Sequence, residues 1–369
     1  MSASEHAPST HVLCRAENAL GRITLTRPNV LNALTNAMRE EISGALTAWQ
    51  RDPMIYAVMI DAEGDRAFCA GGDLREMLDG FKSDPAAARA ALADEYRLNW
   101  QIDCFTKPIV SLINGLCVGS GVGLTLFGTH RVAGENYSFA MPEVAVGFFP
   151  DVGATWPLSR VAGNIGRYLA ISGRSMLRGD AHRHGLATHC IAAERFDDIR
   201  DALRDAQPID PLLDDAHLSL PAETSNDTLQ LIADAFSADD LIAIRDRLEA
   251  ARQGPRSQEV RAFADALLID MRQQCPMSRA VANRQLGASA PSTMEDAIRQ
   301  DYRLAARMIE RADFAEGIRA MLIDKDHEPK WSPAMLTDIA PAALDALFAP
   351  HPDFEIDLPP RPQAISAIA

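Results

Sequence analysis

Positive charge is scarce in this chain. Against 51 Asp and Glu stand only 36 Lys and Arg, a formal net charge of −15. That balance excludes a protein built to neutralise a phosphate backbone, so no nucleic-acid partner is expected. A small anionic ligand stays open, because a few local cations and exposed backbone N–H groups outweigh the global sign nearby. Long apolar runs are missing too. The best candidate, residues 109–127, is broken by Asn114 and four glycines, short of the roughly 18 clean residues a membrane span needs. The opening MSASEHAPSTHVLC has no charged-then-apolar export layout. Cysteines are few and scattered: Cys14, Cys69, Cys104, Cys117, Cys190 and Cys275 form no CxxC pair. They read as reduced, buried thiols of a cytoplasmic protein. No GK[ST] phosphate loop is present either.

What is present is length and alternation. The 369 residues amount to two or three domain equivalents at about 150 residues each. Residues 22–26 alternate apolar and polar before a turn at Arg27-Pro28-Asn29, as a strand does. Met38, Ile42, Leu46 and Trp49 then recur at helical spacing, and Asp52-Pro53 closes that helix. A strand at 57–60, a long helix from about 85 to 103 and another strand at 109–113 repeat the theme. Strand, turn, helix and return strand predict an α/β core over 1–205. Pro208, Pro211, Pro221 and a polar stretch predict a connecting excursion over 206–236. Apolar faces at helical spacing predict a helical module over 237–348, and a Pro-rich tail, expected to be mobile, over 349–369.

Three segments carry candidate chemistry. In Cys69-Ala70-Gly71-Gly72-Asp73-Leu74-Arg75-Glu76, paired glycines leave the backbone uncovered, and Asp73 with Glu76 predicts a capping box. Taken alone, the segment also reads as an ordinary glycine turn before a helix. In Asn114 to Leu124, a strand runs into Gly119, Gly121 and Gly123 at GxGxG spacing, unlike a dinucleotide fingerprint, and then into an apolar helix. Two such elements suggest paired N–H donors converging on one carbonyl oxygen, an oxyanion hole. In Phe139 to Gly153, Glu143 and Asp151 are the only charges in an apolar stretch. Such carboxylates must be paired, neutralised or used; each also follows a proline, which suits the first turn of a short helix. The run His182, His184, His189 lacks metal-ligand spacing to Asp180 or Cys190 and reads as a helix end leading into a strand. Lys325, Lys330 and Trp331 form a basic-aromatic feature suited to a nucleotide or to docking of the tail.

Ala70-Gly71-Gly72-Asp73, Gly119-Ser120-Gly121, Met141-Pro142-Glu143 and the turn Asn29–Leu34 together resemble the crotonase (enoyl-CoA hydratase/isomerase) superfamily. Residues 149–153, 185–189 and 322–331 resemble its 3-hydroxyisobutyryl-CoA hydrolase branch. The resemblance implies a spiral of ββα repeats with a C-terminal helical module, and a coenzyme A thioester as substrate. It also implies the N–H groups of Gly72 and Ser120 as the oxyanion hole. Glu143 and Asp151 take the catalytic carboxylate positions, and Glu95, Gly121 and Asp73 the substrate-binding ones. No metal or redox cofactor is called for, and a homo-oligomer is compatible with the superfamily. Two departures stand out. Gly123 occupies the place of a hydratase's second glutamate. Ser120 replaces the usual glycine, and its Cβ is expected to crowd the thioester and to resist the strained dihedrals glycine tolerates. The implied activity is thioester hydrolysis, as in valine breakdown. An enoyl-CoA isomerase or hydratase/lyase, or a non-catalytic CoA-binding protein, are the alternatives.

Overall fold

The structure, a computed structural model, describes residues 11–287 and 290–362. Its first half winds between two sheets. Strands β1 (Val12–Glu17), β2 (Leu20–Leu25), β3 (Ala57–Ala62), β5 (Ile109–Ile113), β7 (His130–Ala133) and β10 (His189–Cys190) form one sheet in the order β1-β2-β3-β5-β7-β10. The second sheet is β4 (Ala67–Cys69), β6 (Leu116–Val118), β8 (Ser138–Ala140) and β9 (Met176–Leu177), in the order β4-β6-β8-β9. Each turn of the chain therefore leaves one strand in each sheet: β3 then β4, β5 then β6, β7 then β8. Pairing between successive turns is parallel, and helices return the chain, giving the spiral of ββα repeats that the resemblance implies. Central strands covered on both faces read as unbroken apolar runs, and all five residues of β5 are buried.

Four helices of this half build the site. Helix α1 (Asn36–Arg51) is capped by the Thr35 hydroxyl, which accepts from Met38 N–H, and it buries Met38, Ile42, Leu46 and Trp49. Helix α2 (Leu74–Ser83) starts at Asp73, whose carboxylate accepts from Glu76 N–H at 3.2 Å. The expected capping box is only half made: Glu76 reaches instead to the backbone N–H of Asn36 at 3.1 Å, tying α2 to α1. Helix α3 (Pro85–Asp103) matches the expected range, and α4 (Ser120–Thr125) follows the glycine-rich loop.

Two expectations about the second half need correction. Residues 206–236 are not merely a connection, for they hold the helices Ile209–Ala216 and Asn226–Ala235. Their prolines and caps, read as loop signals, sit at or near the helix starts. Nor is the tail loose as far as residue 362. Ile356 and Leu358 are buried, Trp100 Nε1 donates to Pro359 O at 2.8 Å, and the Arg361 guanidinium lies over the Trp100 ring. The last seven residues fall outside the described residues. No helix among those described is long and apolar enough to cross a membrane.

Candidate active site

The site grows from two loops that end parallel strands of the second sheet. After β4, the loop 70–73 runs beside Leu34: Leu34 N–H donates to Gly71 O at 2.9 Å, and Asp73 N–H donates to Leu34 O at 2.8 Å. In a parallel bridge of this kind, the N–H of the residue between points away from its partner. Gly72 therefore turns its N–H to the opposite side. After β6, Gly119 takes φ +52° and ψ −123°, a conformation that favours glycine. This lets Ser120 open α4, where a first-turn N–H has no intrahelical acceptor. The strained dihedral thus falls on Gly119 and not on Ser120, so the serine here does not have to adopt a conformation that only glycine tolerates. The loops touch: a side chain at Gly71 would begin 3.9 Å from Ser120 N.

Both loops face a cavity of about 250 Å³. Gly72, Ser120, Glu95, Glu143 and Asp151 all line it. Glu143 opens a short 3-10 turn (Glu143–Val146) after Pro142, and Oε1 approaches Gly119 so closely that a Cβ there would sit 3.0 Å away. Its Oε2 is closed to solvent and has no hydrogen-bond partner among the described residues. Asp151 is 7% exposed and accepts from the Tyr96 hydroxyl at 2.8 Å. Burial pushes the Glu143 carboxyl well above its usual range, and the neighbouring Asp151 and Glu95 push it further. Burial likewise raises Asp151, with Glu95 adding to the rise and the Tyr96 hydrogen bond opposing it. Two adjacent raised carboxyls hold a proton between them more readily than they shed both.

Beside this pair lies a buried ion pair that sequence reasoning missed. Arg39, on α1, meets Glu95 at 3.0 Å, with side chains 6% and 4% exposed. The Ser120 hydroxyl donates to Glu95 and accepts from Arg39 Nη2 at 3.3 Å. The serine side chain that distinguishes this loop is thus spent on the ion pair. Tyr96 and Asn99 were missed as well, although helical spacing places Leu92, Glu95, Tyr96 and Asn99 on one buried face of α3. Polar residues on an apolar stripe were the available signal.

Not every expected residue reaches the cavity. Gly121 is packed inside α4, where a side chain would collide with Cys69, its Cβ only 2.7 Å away. Asp73 is occupied as the cap of α2 and in an ion pair with Arg27 at 3.1 Å. At Gly123 the space a longer residue would need is filled, with Asn99 Nδ2 2.5 Å and Val152 Cβ 2.9 Å from where a Cβ would stand. Met321 and Leu322 of the second half line the cavity as well, and Arg75 of α2 donates to Leu322 O at 2.5 Å. The Trp331 indole donates to Gln273 O at 2.8 Å, so it docks the segment 319–331. No cluster of three or more His, Cys, Asp or Glu with metal-holding geometry occurs among the described residues.

Comparison with known proteins matches residues 20–348 to the enoyl-CoA hydratase/isomerase family. The chain belongs to that family. Two full-length relatives are named mitochondrial 3-hydroxyisobutyryl-CoA hydrolase. The one from Gallus gallus is 35% identical, covering 92% of this chain and 89% of the relative; the one from Homo sapiens is 34% identical, covering 94% and 90%. Among solved structures, a carnitinyl-CoA dehydratase from Mycobacterium thermoresistibile superposes with a TM-score of 0.86 at 33% identity, over 93% of this chain and 98% of its own. An enoyl-CoA hydratase from Rhodobacter sphaeroides 2.4.1 gives 0.82 at 37% identity, over 95% and 100%. The protein is accordingly a crotonase-family acyl-CoA enzyme.

Proposed function

We propose that the protein hydrolyses a short branched 3-hydroxyacyl-CoA thioester, with 3-hydroxyisobutyryl-CoA, as in valine breakdown, the leading substrate. One observation carries the reading. Glu143, whose Oε2 is closed to solvent and has no hydrogen-bond partner among the described residues, lines the same cavity as Asp151, a second raised carboxyl, and as Gly72 and Ser120, while a Cβ at Gly123, the place for a hydratase's second glutamate, would collide with Asn99 and Val152. The 3-hydroxyisobutyryl-CoA hydrolases to which the chain is similar along its length support the choice of acyl group.

In this reading the thioester oxygen accepts from Gly72 N–H and Ser120 N–H. Each such donor contributes about 2.7–4 kcal/mol to the transition state. Glu143 in its ionised form either attacks the carbonyl carbon, giving a mixed anhydride that water then opens, or removes a proton from the attacking water. In both routes the C–S bond breaks and the coenzyme A thiolate takes up a proton, which the protonated member of the carboxyl pair supplies. Tyr96 holds Asp151 in place, and Glu95 holds the substrate hydroxyl while keeping its bond to Arg39. Neither route needs a metal or a redox cofactor. The six unpaired thiols suit a reducing compartment such as the cytoplasm.

Release of free thiol from 3-hydroxyisobutyryl-CoA tests this directly, with crotonyl-CoA hydration and isomerisation of an enoyl-CoA followed alongside. Thiol release that Asp151→Asn reduces by about 100-fold or more supports the hydrolase. Hydration or isomerisation without thiol release refutes it in favour of the other family chemistries, and CoA binding without turnover refutes it in favour of a binding protein. Single-turnover hydrolysis in labelled water then separates the two routes, since only the anhydride route transfers solvent oxygen into Glu143.

A further inference from the structure

Asp301 is a carboxylate that the chemistry above leaves unused. It lies in the second half of the chain, on the helix Met294–Met308, is fully buried, and does not line the cavity. Its Oδ2 accepts from the backbone N–H of Gly153 at 2.7 Å, and its Oδ1 accepts from Gln285 Nε2 at 3.1 Å. Gly153 and Val152 both adopt positive φ, +77° and +53°, directly after Asp151. A valine in that region is a strained residue that persists only where its surroundings hold it. The Met294 thioether of the same helix fills the space beside Gly153. The residue next to Asp301, Tyr302, packs edge-on against Tyr96 with ring centres 6.4 Å apart, and Tyr96 donates its hydroxyl to Asp151. One helix thus grips Asp151 twice, through the turn that follows it and through the tyrosine that binds it.

We propose that Asp301 is the positioning residue for Asp151: by accepting the Gly153 N–H it holds the Val152-Gly153 turn in the conformation that presents the Asp151 carboxyl to the cavity. An apolar side chain would fill the same volume without the cost of burying a carboxyl, so the acceptor itself is what the position requires. Burial and the neighbouring Asp151 both push the Asp301 carboxyl well above its usual range, which is the electrostatic cost of keeping an acceptor there. The inference rests on the hydrolase reading for the role of Asp151, whereas the geometry of the turn does not depend on it.

The test compares Asp301→Leu, which has no acceptor, with Asp301→Asn, which still accepts from Gly153 while its amide faces a reoriented Gln285. Asp301→Leu is expected to lower kcat by about 10- to 100-fold with KM held within about twofold. Asp301→Asn is expected to restore kcat to within about threefold of wild type, since a hydrogen bond of the same geometry is kept. In an Asp151→Asn background the effect of Asp301→Leu should disappear, because the two residues act as one unit. Equal losses in Leu and Asn variants, or an undiminished loss in the Asp151→Asn background, overturn the proposal. A substrate-free readout covers a variant that does not fold. In the wild-type protein the Gly153 amide should resist hydrogen exchange as the amides within the helix Met294–Met308 do, and rapid exchange there overturns the proposal. If wild type instead shows hydration or isomerisation without thiol release while Gly153 stays protected, the hydrolase reading has failed and the positioning role stands, to be measured on that activity.

Discussion

Glu143 is kept where ionisation is unfavourable, and the folded protein bears that cost in a definite pH range. A carboxyl whose value is raised on folding is fully compatible with the fold below its unfolded value, and the stability is lost as pH rises through the folded value. Glu143→Gln should therefore be more stable than wild type at pH 9, where the folded protein holds this carboxyl against its ionisation. The gap should close towards pH 4. Denaturant titrations at the two pH values measure it, and a variant no more stable at pH 9 would show that Glu143 is not strained by burial. Arg39 predicts the opposite sign. Arg39→Met leaves Glu95 buried without its cation and should cost about 3–5 kcal/mol, measurable in the same titration. The serine at 120 belongs to this network: its hydroxyl is bound to the ion pair, which in the proposed mechanism leaves its N–H for the substrate.

At the scale of elements, the two loops and the short turn at Glu143 were legible in sequence because glycine, proline and isolated charge are local signals. The helix 85–103 and the strand 109–113 were legible for the same reason, as unbroken periodic or apolar runs. What was not legible is contact between remote elements. Arg39, Tyr96, Asn99 and Asp301 come from three helices, and nothing local shows that Arg39 on α1 meets Glu95 on α3. The helices within 206–236 were hidden because their prolines resemble loop punctuation, and the packed tail was hidden because Ile356 and Leu358 are isolated apolar residues with no period. Truncation after residue 350 uncovers both, together with Trp100. It should destabilise the protein by about 3 kcal/mol or more, taking about 1.5–3 kcal/mol for each buried aliphatic side chain. Thermal unfolding of the shortened chain checks this, and an unchanged Tm would mean the tail contributes nothing. Installing the hydratase residue by Gly123→Glu should not create hydration, because Asn99 and Val152 already fill that space; a crotonyl-CoA assay on the variant decides.

For the molecule as a whole, the proposed mechanism takes two amides and two acids from the spiral, with Met321 and Leu322 of the second half lining the same cavity and Asp301 in the proposed role of positioning Asp151. The raised carboxyls should appear in the pH dependence of turnover. Because burial and mutual repulsion raise both carboxyls, kcat/KM should climb through neutral pH as the pair gives up a proton. The residual activity of Asp151→Asn should climb at lower pH, since its neighbour's charge is gone. A flat profile from pH 5 to 9 would contradict this electrostatic account. The most direct measurement is thiol release from 3-hydroxyisobutyryl-CoA by wild type and by Glu143→Gln at pH 8. The expected result is turnover by wild type and a loss of about 100- to 10,000-fold in the variant, with substrate still bound; undiminished release by Glu143→Gln would contradict it.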